Sequence, residues 1–407
     1  MRNIAISEHA SYVLLTFVAA GLIYVGAHES LEYDTLQKHG ESRQNTARPD
    51  ARQRQLELAA PINSSEAWQL PLIGSVVLLG LWLMLKYLNA DLIRFIFALY
   101  FALAGTAAVW NALHALSRAM LSDAFWARFK QYSVSIPLWS SGNIPVQFTI
   151  PGLLIAIVSV IPSALYIWER GPRGFEATFS HAILNDIIAG SLAFGVLKVF
   201  QLDGFMTGCI LLSGLFIYDA WWVFGTPVMV DVAQQLDAPV LLLWPRSLNP
   251  WAPLRFSMLG LGDIVLPGAF ITTCLRFDQA SSVEPSETTN LLLSPSFKKP
   301  YFNTTLVAYI IGLNITSLVV QLTEHPQPAL LYLSPACIGA FYLTARRREE
   351  VSKAWKWKFE PKTDPLPVTR ADAATDLPGN ETESSTSSSV DIRDADAKRR
   401  SHPSSST

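Results

Sequence analysis

The sequence predicts an all-α membrane protein that crosses the bilayer about nine times. Three observations carry this. Half of the 407 residues are hydrophobic, 16% are charged and mean hydropathy is +0.27, whereas a soluble domain is nearer a quarter charged. The charges crowd into a few loops and the C-terminal tail. Between them lie apolar runs long enough for a helix to cross a hydrocarbon core of ~30 Å. Backbone in that core must pair its own polar groups, and a helix is the segment that does so alone. A net charge of −2 says nothing about nucleic acid, but no basic patch with interleaved aromatics appears, so no nucleic-acid partner is expected.

Taken in order, Ser11–His28 is the first span. Its n-region carries only Arg2, its apolar run exceeds a signal peptide's, and no small-residue cleavage site follows, so it is read as retained. Glu29–Trp68 reads as a polar loop. Leu70–Leu88 is the second span, and Asn89–Asp91 joins it to the third, Leu92–Leu113. Ala115–Gln147 reads as a mixed loop. Ile150–Trp168 is the fourth span, followed by a turn through Gly171-Pro172. Ala177–Val199 is the fifth, carrying Asn185 and Asp186. Thr207–Met229 is the sixth and carries Asp219. Asp231–Pro253 reads as a loop. Leu254–Arg276 is the seventh and carries Asp263. Asp278–Pro300 reads as a flexible Ser/Glu/Thr-rich loop. Thr304–Leu322 and Pro328–Leu343 are the eighth and ninth.

These elements group into an N-terminal membrane part (1–176), a second membrane part (177–345) and a tail (346–407). The tail's Ser/Thr/Asp-rich composition cannot build a core and predicts disorder. Lys and Arg concentrate on one side: Lys38, Arg43, Arg48, Arg52 and Arg54 in the first loop, Arg118, Arg128 and Lys130, Arg276, Lys298 and Lys299, and Arg346–Arg348. That bias puts the C-terminus in the cytosol and the N-terminus outside or in a lumen.

The chemistry centres on Asp219 and Asp263. A carboxylate at bilayer depth is costly, so such an acid is a functional-site hypothesis. On a helical rise, Asp219 lies about 18 Å and Asp263 about 14 Å into their spans, near a common depth. Two carboxyls held close in a low dielectric share one proton. One can then take a proton from water while the other polarises a carbonyl. Gly260 and Gly262 remove side chains beside Asp263, so a backbone or substrate can approach. A bulky residue at 262 is expected to be severe there, and Ala at 260 mild. Asp186 lacks this context and is read as structural. Trp221 and Trp222 are read as packing residues, and Glu324 and His325 as solvated loop residues. Cys209, Cys274 and Cys337 each fall in a different apolar run and read as packing residues; neither they nor the histidines show metal-ligand spacing, so no metal or cofactor is expected.

Tyr218-Asp219, Gly260-Leu-Gly262-Asp263 and Gln327-Pro328-Ala329-Leu330 resemble the three signatures of the GxGD intramembrane aspartyl proteases. The runs Thr207–Asp219, Phe224–Val230, Met258–Val265 and Gln327–Gly339 resemble the signal peptide peptidase branch, with the close match over about 177–343. The resemblance implies a presenilin-like or signal-peptide-peptidase-like fold of nine spans in the endoplasmic reticulum membrane. It implies Asp219 and Asp263 as the catalytic pair. It also implies a cleft shaped by Tyr218, Gly260, Gly262, Gln327, Pro328, Ala329 and Leu330. Implied substrates are type II-oriented membrane segments, chiefly leftover signal peptides. Implied further partners are the lipid bilayer, other copies of the chain and quality-control proteins of that membrane. Two other classes stay open: a proton-coupled transporter using both acids as relays, and a non-catalytic adaptor that binds membrane segments.

Overall fold

The structure, a computed structural model, describes residues 2–43, 61–121, 123–126, 128–129, 132–138, 142–169, 179–235, 239–246, 256–282, 297–323, 325 and 327–359. The helices are α1 (Arg2–Arg43), α2 (Ser64–Ala67), α3 (Gln69–Tyr87), α4 (Ala90–Met120), α5 (Asp123–Trp126), α6 (Ile150–Trp168), α7 (Phe179–Val199), α8 (Phe205–Gly225), α9 (Val228–Gln235), α10 (Leu261–Ser282), α11 (Pro300–Thr323), α12 (Leu330–Arg347) and α13 (Val351–Lys356). Two antiparallel hairpins interrupt them: β1 (Tyr132–Leu138) with β2 (Gly142–Phe148), and β3 (Leu241–Pro245) with β4 (Phe256–Gly260).

Among the described residues seven helices are long and apolar enough to cross a membrane: α1, α3 (with α2), α4, α6, α7, α8 and α11. The seventh and ninth expected spans, α10 and α12, are helices of 22 and 18 residues that do not meet that measure. Asp263, Arg276 and Asp278 on α10, and Arg346 and Arg347 on α12, lower their hydropathy.

Local chemistry explains where these helices start and how they tolerate hydroxyls. Asn89 Oδ1 accepts from Asp91 N at the start of α4, and Thr149 Oγ1 accepts from Gly152 N at the start of α6, as N-caps do. Buried Thr272, Thr273, Thr316 and Ser317 each donate to the carbonyl four residues back. A hydroxyl that cannot reach water is satisfied by its own helix.

The core joins α1, α7, α8, α10, α11 and α12 through Ile23, Leu197, Leu211, Phe270, Tyr309 and Leu333, all fully buried. Glycine permits two close approaches. A Cβ on Gly208 of α8 would sit 2.6 Å from the Phe270 ring of α10, and one on Gly268 of α10 would sit 2.6 Å from Leu197 of α7. The first contact holds the Asp219 helix against the Asp263 helix, and the second packs α7 on the Asp263 helix.

A clasp closes one end of the bundle. Ile62 N donates to Gln201 O and Asp203 N to Ile62 O, while Phe359 N donates to Asp203 O. Ile62 and Lys358 thereby bridge to Leu202 and Gly204, on the turn between α7 and α8. Trp357 packs on Phe205 and Phe277.

Several expectations from sequence need correction. The first loop does not begin at Glu29, because α1 continues to Arg43, and Ser64–Ala67 is a short helix. The Ala115–Gln147 segment opens with the last turns of α4 and holds α5 and a hairpin. The Asp231–Pro253 segment contains the end of α9 and all of β3. Leu254–Arg276 is not one helix: β4 runs through Gly260 and α10 starts at Leu261. Asp278 is in α10, where its carboxylate accepts from Tyr301 N and Phe302 N and caps α11. Residues 346–359 are ordered in α12, α13 and the clasp, so the tail begins later than 346. Glu324, most of the 283–299 stretch, the Gly171-Pro172 turn and residues 360–407 lie outside the described residues.

Candidate active site

Asp219 is set on α8 and is 5% exposed. Residues on α3 pack against the same helix. Pro71 meets Gly214, a Cβ on Gly74 would rest on the Tyr218 ring at 3.6 Å, and Trp222 Nε1 donates to Ser75 Oγ at 3.1 Å. Trp222 is therefore a packing residue, whereas Trp221 is 66% exposed. Tyr218 borders Asp219 with its ring half-buried between α3 and Trp222.

Asp263 reaches the site differently from the sequence expectation. It lies in the first turn of α10, not deep within a helix. The chain changes from strand to helix at Gly260–Leu261, and Leu261 N still donates to Val240 O at 3.0 Å across the hairpin. Pairing to β3 therefore continues to the residue where the helix begins. A Cβ on Gly260 would lie 3.2 Å from Asp263 Oδ2; around Gly262 nothing lies closer than Leu266 Cδ1 at 4.0 Å. Gly260 is the glycine that makes room for the carboxylate, and Gly262 faces open space.

The third motif meets the first through a backbone amide. Leu330 N donates to Asp219 Oδ2 at 3.0 Å. Leu330 is the first residue of α12, and Ala329 before it has no side-chain acceptor. The opening N–H groups of a helix need partners, and Asp219 supplies one from another helix. Pro328 is buried, and its carbonyl accepts from Leu331 N while that of Ala329 accepts from Tyr332 N and Leu333 N, which builds the tight first turn. Gln327 points elsewhere: its amide donates to Thr323 Oγ1 at 3.1 Å.

Both carboxyls thus sit at helix N-termini, Asp219 at that of α12 and Asp263 at that of α10. The positive end of a helix favours negative charge there. The two carboxyls are close enough to interact electrostatically. Repulsion between them disfavours double ionisation, and the helix ends favour a single negative charge, so the pair is suited to hold one proton between two acids.

Two features of the site escaped the sequence reading. Tyr309 on α11 is fully buried, its hydroxyl has no hydrogen-bond partner among the described residues, and it interacts electrostatically with Asp263. Nothing in its sequence context marks it. Asn185 and Asp186 on α7 bind the β3 backbone: Asn185 Nδ2 donates to Leu241 O and Leu243 N donates to Asp186 Oδ1, both at 2.7 Å. The run Leu241–Trp244 before Pro245 was the available strand signal. Among the described residues no group of three His, Cys, Asp or Glu could hold a metal ion.

Comparison with known proteins bears on this geometry. A family model described as signal peptide peptidase matches residues 53–361. The likeness therefore starts well before the motif-bearing helices. The chain is 33% identical over 326 residues to the signal peptide peptidase of Homo sapiens, covering 79% of this chain and 80% of the relative. It is 33% identical over 299 residues to a probable intramembrane protease of Schizosaccharomyces pombe, covering 74% and 84%. Over 183 residues it is 43% identical to intramembrane protease 2 of Caenorhabditis elegans, covering 44% and 38%.

Proposed function

The chain belongs to the signal peptide peptidase family of intramembrane proteases, and from that premise we propose that Asp219 and Asp263 cleave signal peptides and other membrane-spanning segments between them. The observation that carries the assignment is the meeting of three helices at one point. Asp219 accepts the first amide of α12, and Asp263 in the first turn of α10 interacts with it.

The chemistry follows from the pair. The ionised aspartate takes a proton from a water held between the two. The resulting hydroxide adds to the scissile carbonyl carbon, whose oxygen accepts a hydrogen bond and then the proton from the protonated aspartate. The product is a neutral gem-diol. Its collapse breaks the C–N bond: one aspartate returns a proton to the leaving nitrogen while the other, now ionised, takes the proton of one gem-diol hydroxyl as its oxygen becomes the new carbonyl. No bond forms between enzyme and substrate. Leu330 N–H keeps Asp219 oriented through these steps, and the space at Gly262 admits substrate backbone.

A peptide bond in a helix is shielded, so the substrate must be extended at the cut. The hairpin offers a partner for it. Residues 257, 259 and 261 turn toward β3, so the backbone groups of Phe256, Met258 and Gly260 face the other way. An extended segment adding along that edge runs toward Asp263.

The finer placement belongs to the same proposal. The protein is a multi-pass protein of the endoplasmic reticulum membrane, with α10 and α12 as its seventh and ninth crossings. Residues 1–176 form its N-terminal membrane part and 177–345 its catalytic part. The C-terminus is cytosolic and the N-terminus lumenal, in line with the distribution of Lys and Arg, and substrates are type II-oriented.

The test uses full-length protein purified in detergent and a membrane-spanning signal peptide. Asp219→Asn and Asp263→Asn should each lose cleavage while still eluting as folded protein, because an amide is no general base. Near-native turnover in either variant would remove that residue from the chemistry.

A further inference from the structure

We infer that Asn185 and Asp186 of α7 are positioning residues for proteolysis, a clamp that sets where the strand leading into Asp263 lies. The inference rests on the reading of Asp263 as catalytic.

The argument starts from strand geometry. Val240 O accepts from Leu261 N. In an antiparallel pair the backbone groups alternate in direction, so residues 240, 242 and 244 turn toward β4 while 241, 243 and 245 turn away. An outward edge inside a membrane bundle leaves polar groups without water. Here three side chains take up that edge in turn. Asn185 Nδ2 donates to Leu241 O at 2.7 Å, Leu243 N donates to Asp186 Oδ1 at 2.7 Å, and Ser11 Oγ donates to Pro245 O at 3.0 Å. Asn185 Nδ2 also lies 3.3 Å from Asp186 Oδ1 and orients the acceptor. Asn185 is 4% exposed.

The consequence concerns α10. Leu197, lower on α7, fills the notch left by Gly268 of α10. The helix α7 is therefore attached twice to the Asp263 unit, once to the helix body and once to the hairpin that precedes it. These two attachments fix the angle at which the chain enters α10 at Gly260–Leu261. They also leave β4 as the hairpin's outward edge next to Asp263. Loss of the β3 attachment frees the hairpin to slide or tilt relative to the catalytic pair. A substrate held along β4 then presents a spread of peptide bonds, each imperfectly placed. A purely structural residue would change stability without scattering the cut.

The experiment follows kcat, KM and the cleavage positions by mass spectrometry, on a single membrane-spanning signal peptide, for folded, purified Asp186→Ala, Asp186→Asn and Asp263→Asn. Asp186→Ala should lower kcat about tenfold with KM nearly unchanged, the scale set by one lost buried hydrogen bond, and should spread the cut over neighbouring bonds. Asp186→Asn keeps an oxygen for Leu243 N–H and should restore most of the rate and the single cut. Wild-type kcat with an unscattered cut in Asp186→Ala overturns the clamp, as does an Asp186→Asn variant no better than Asp186→Ala. If Asp186→Ala does not accumulate as folded protein, Asn185→Ala makes the same test through the Leu241 carbonyl, with the same expected and overturning results. Asp263→Asn separates the two ideas. Its inactivity beside a wild-type Asp186→Ala sinks the clamp alone, and its full activity sinks the catalytic reading together with the clamp.

Discussion

Gly260 and Gly262 look equivalent in sequence, and the structure divides their work. A methyl on Gly260 would press within 3.2 Å of Asp263 Oδ2, where the carboxylate must yield, and one on Gly262 meets only Leu266 Cδ1, at 4.0 Å. Gly260→Ala should therefore lower turnover more than Gly262→Ala, by about tenfold if realigning the carboxyl costs ~1.4 kcal/mol in the transition state. The motif alone suggests a severe effect for a bulky residue at 262 and a mild one for Ala at 260; the geometry makes Ala at 260 the more damaging of the two alanine changes. The check is kcat for both alanine variants under saturating substrate; equal values would show that the carboxylate moves aside freely. A leucine at 262 remains harmful for a different reason, since it would occupy the open space beside Asp263.

At the scale of elements, helix ends govern the architecture. Asp219 caps α12 from α8, and Asp278 near the end of α10 caps α11 through Tyr301 N and Phe302 N. Asp278 lies beyond the apolar part of its helix. Burial pushes its carboxyl up to about 6, although the Phe302 and Tyr301 amides and Arg348 draw it down. A group raised in the folded state binds its proton more tightly there than in the unfolded chain. Its stabilising contribution is full below pH ~4 and declines as pH rises through about 6. Asp278→Asn cannot titrate, so wild type should lose thermal stability relative to this variant between pH 4 and 6, with a constant difference above pH 7. Thermal unfolding in detergent across that range reads it, and parallel curves would place the titration elsewhere.

For the whole molecule, the clasp constrains topology. Ile62, the turn at Leu202–Gly204 and Lys358 meet, so they lie on one side of the membrane. The helices α3, α4, α6 and α7 separate Ile62 from Leu202, and α8, α10, α11 and α12 separate Gly204 from Lys358, so each set crosses an even number of times. With that side cytosolic, no sequon among Asn63-Ser-Ser65, Asn303-Thr-Thr305, Asn314-Ile-Thr316 and Asn380-Glu-Thr382 should carry a glycan in a eukaryotic host. A deglycosylation gel shift that disappears in Asn63→Gln would invert the orientation. The clasp also predicts where the chain can be cut. Met1–Pro361 is one compact unit, so truncation after Pro361 should leave melting temperature and cleavage unchanged. Truncation after Arg348 removes Trp357 from Phe205 and Phe277 and should lower the melting temperature by several degrees.

Composition and hydropathy by themselves determined that the chain is helical and membrane-embedded, because apolar length is a local property that the bilayer reads directly. The three motifs likewise singled out Asp219, Asp263 and the segment before α12 as candidates, since a buried charge and a tight proline-containing turn are costly enough to stand out in sequence. Tertiary structure alone decided how these parts meet. That β4 interrupts the expected seventh span depends on β3 pairing with it and on Asn185, Asp186 and Ser11 hydrogen-bonding β3's other edge, partners remote in sequence. That Asp219 receives the Leu330 amide depends on two helices crossing, 111 residues apart. Hydrogen bonds between distant segments leave no period in the sequence, and in a membrane they are the interactions that choose one packing among many apolar ones.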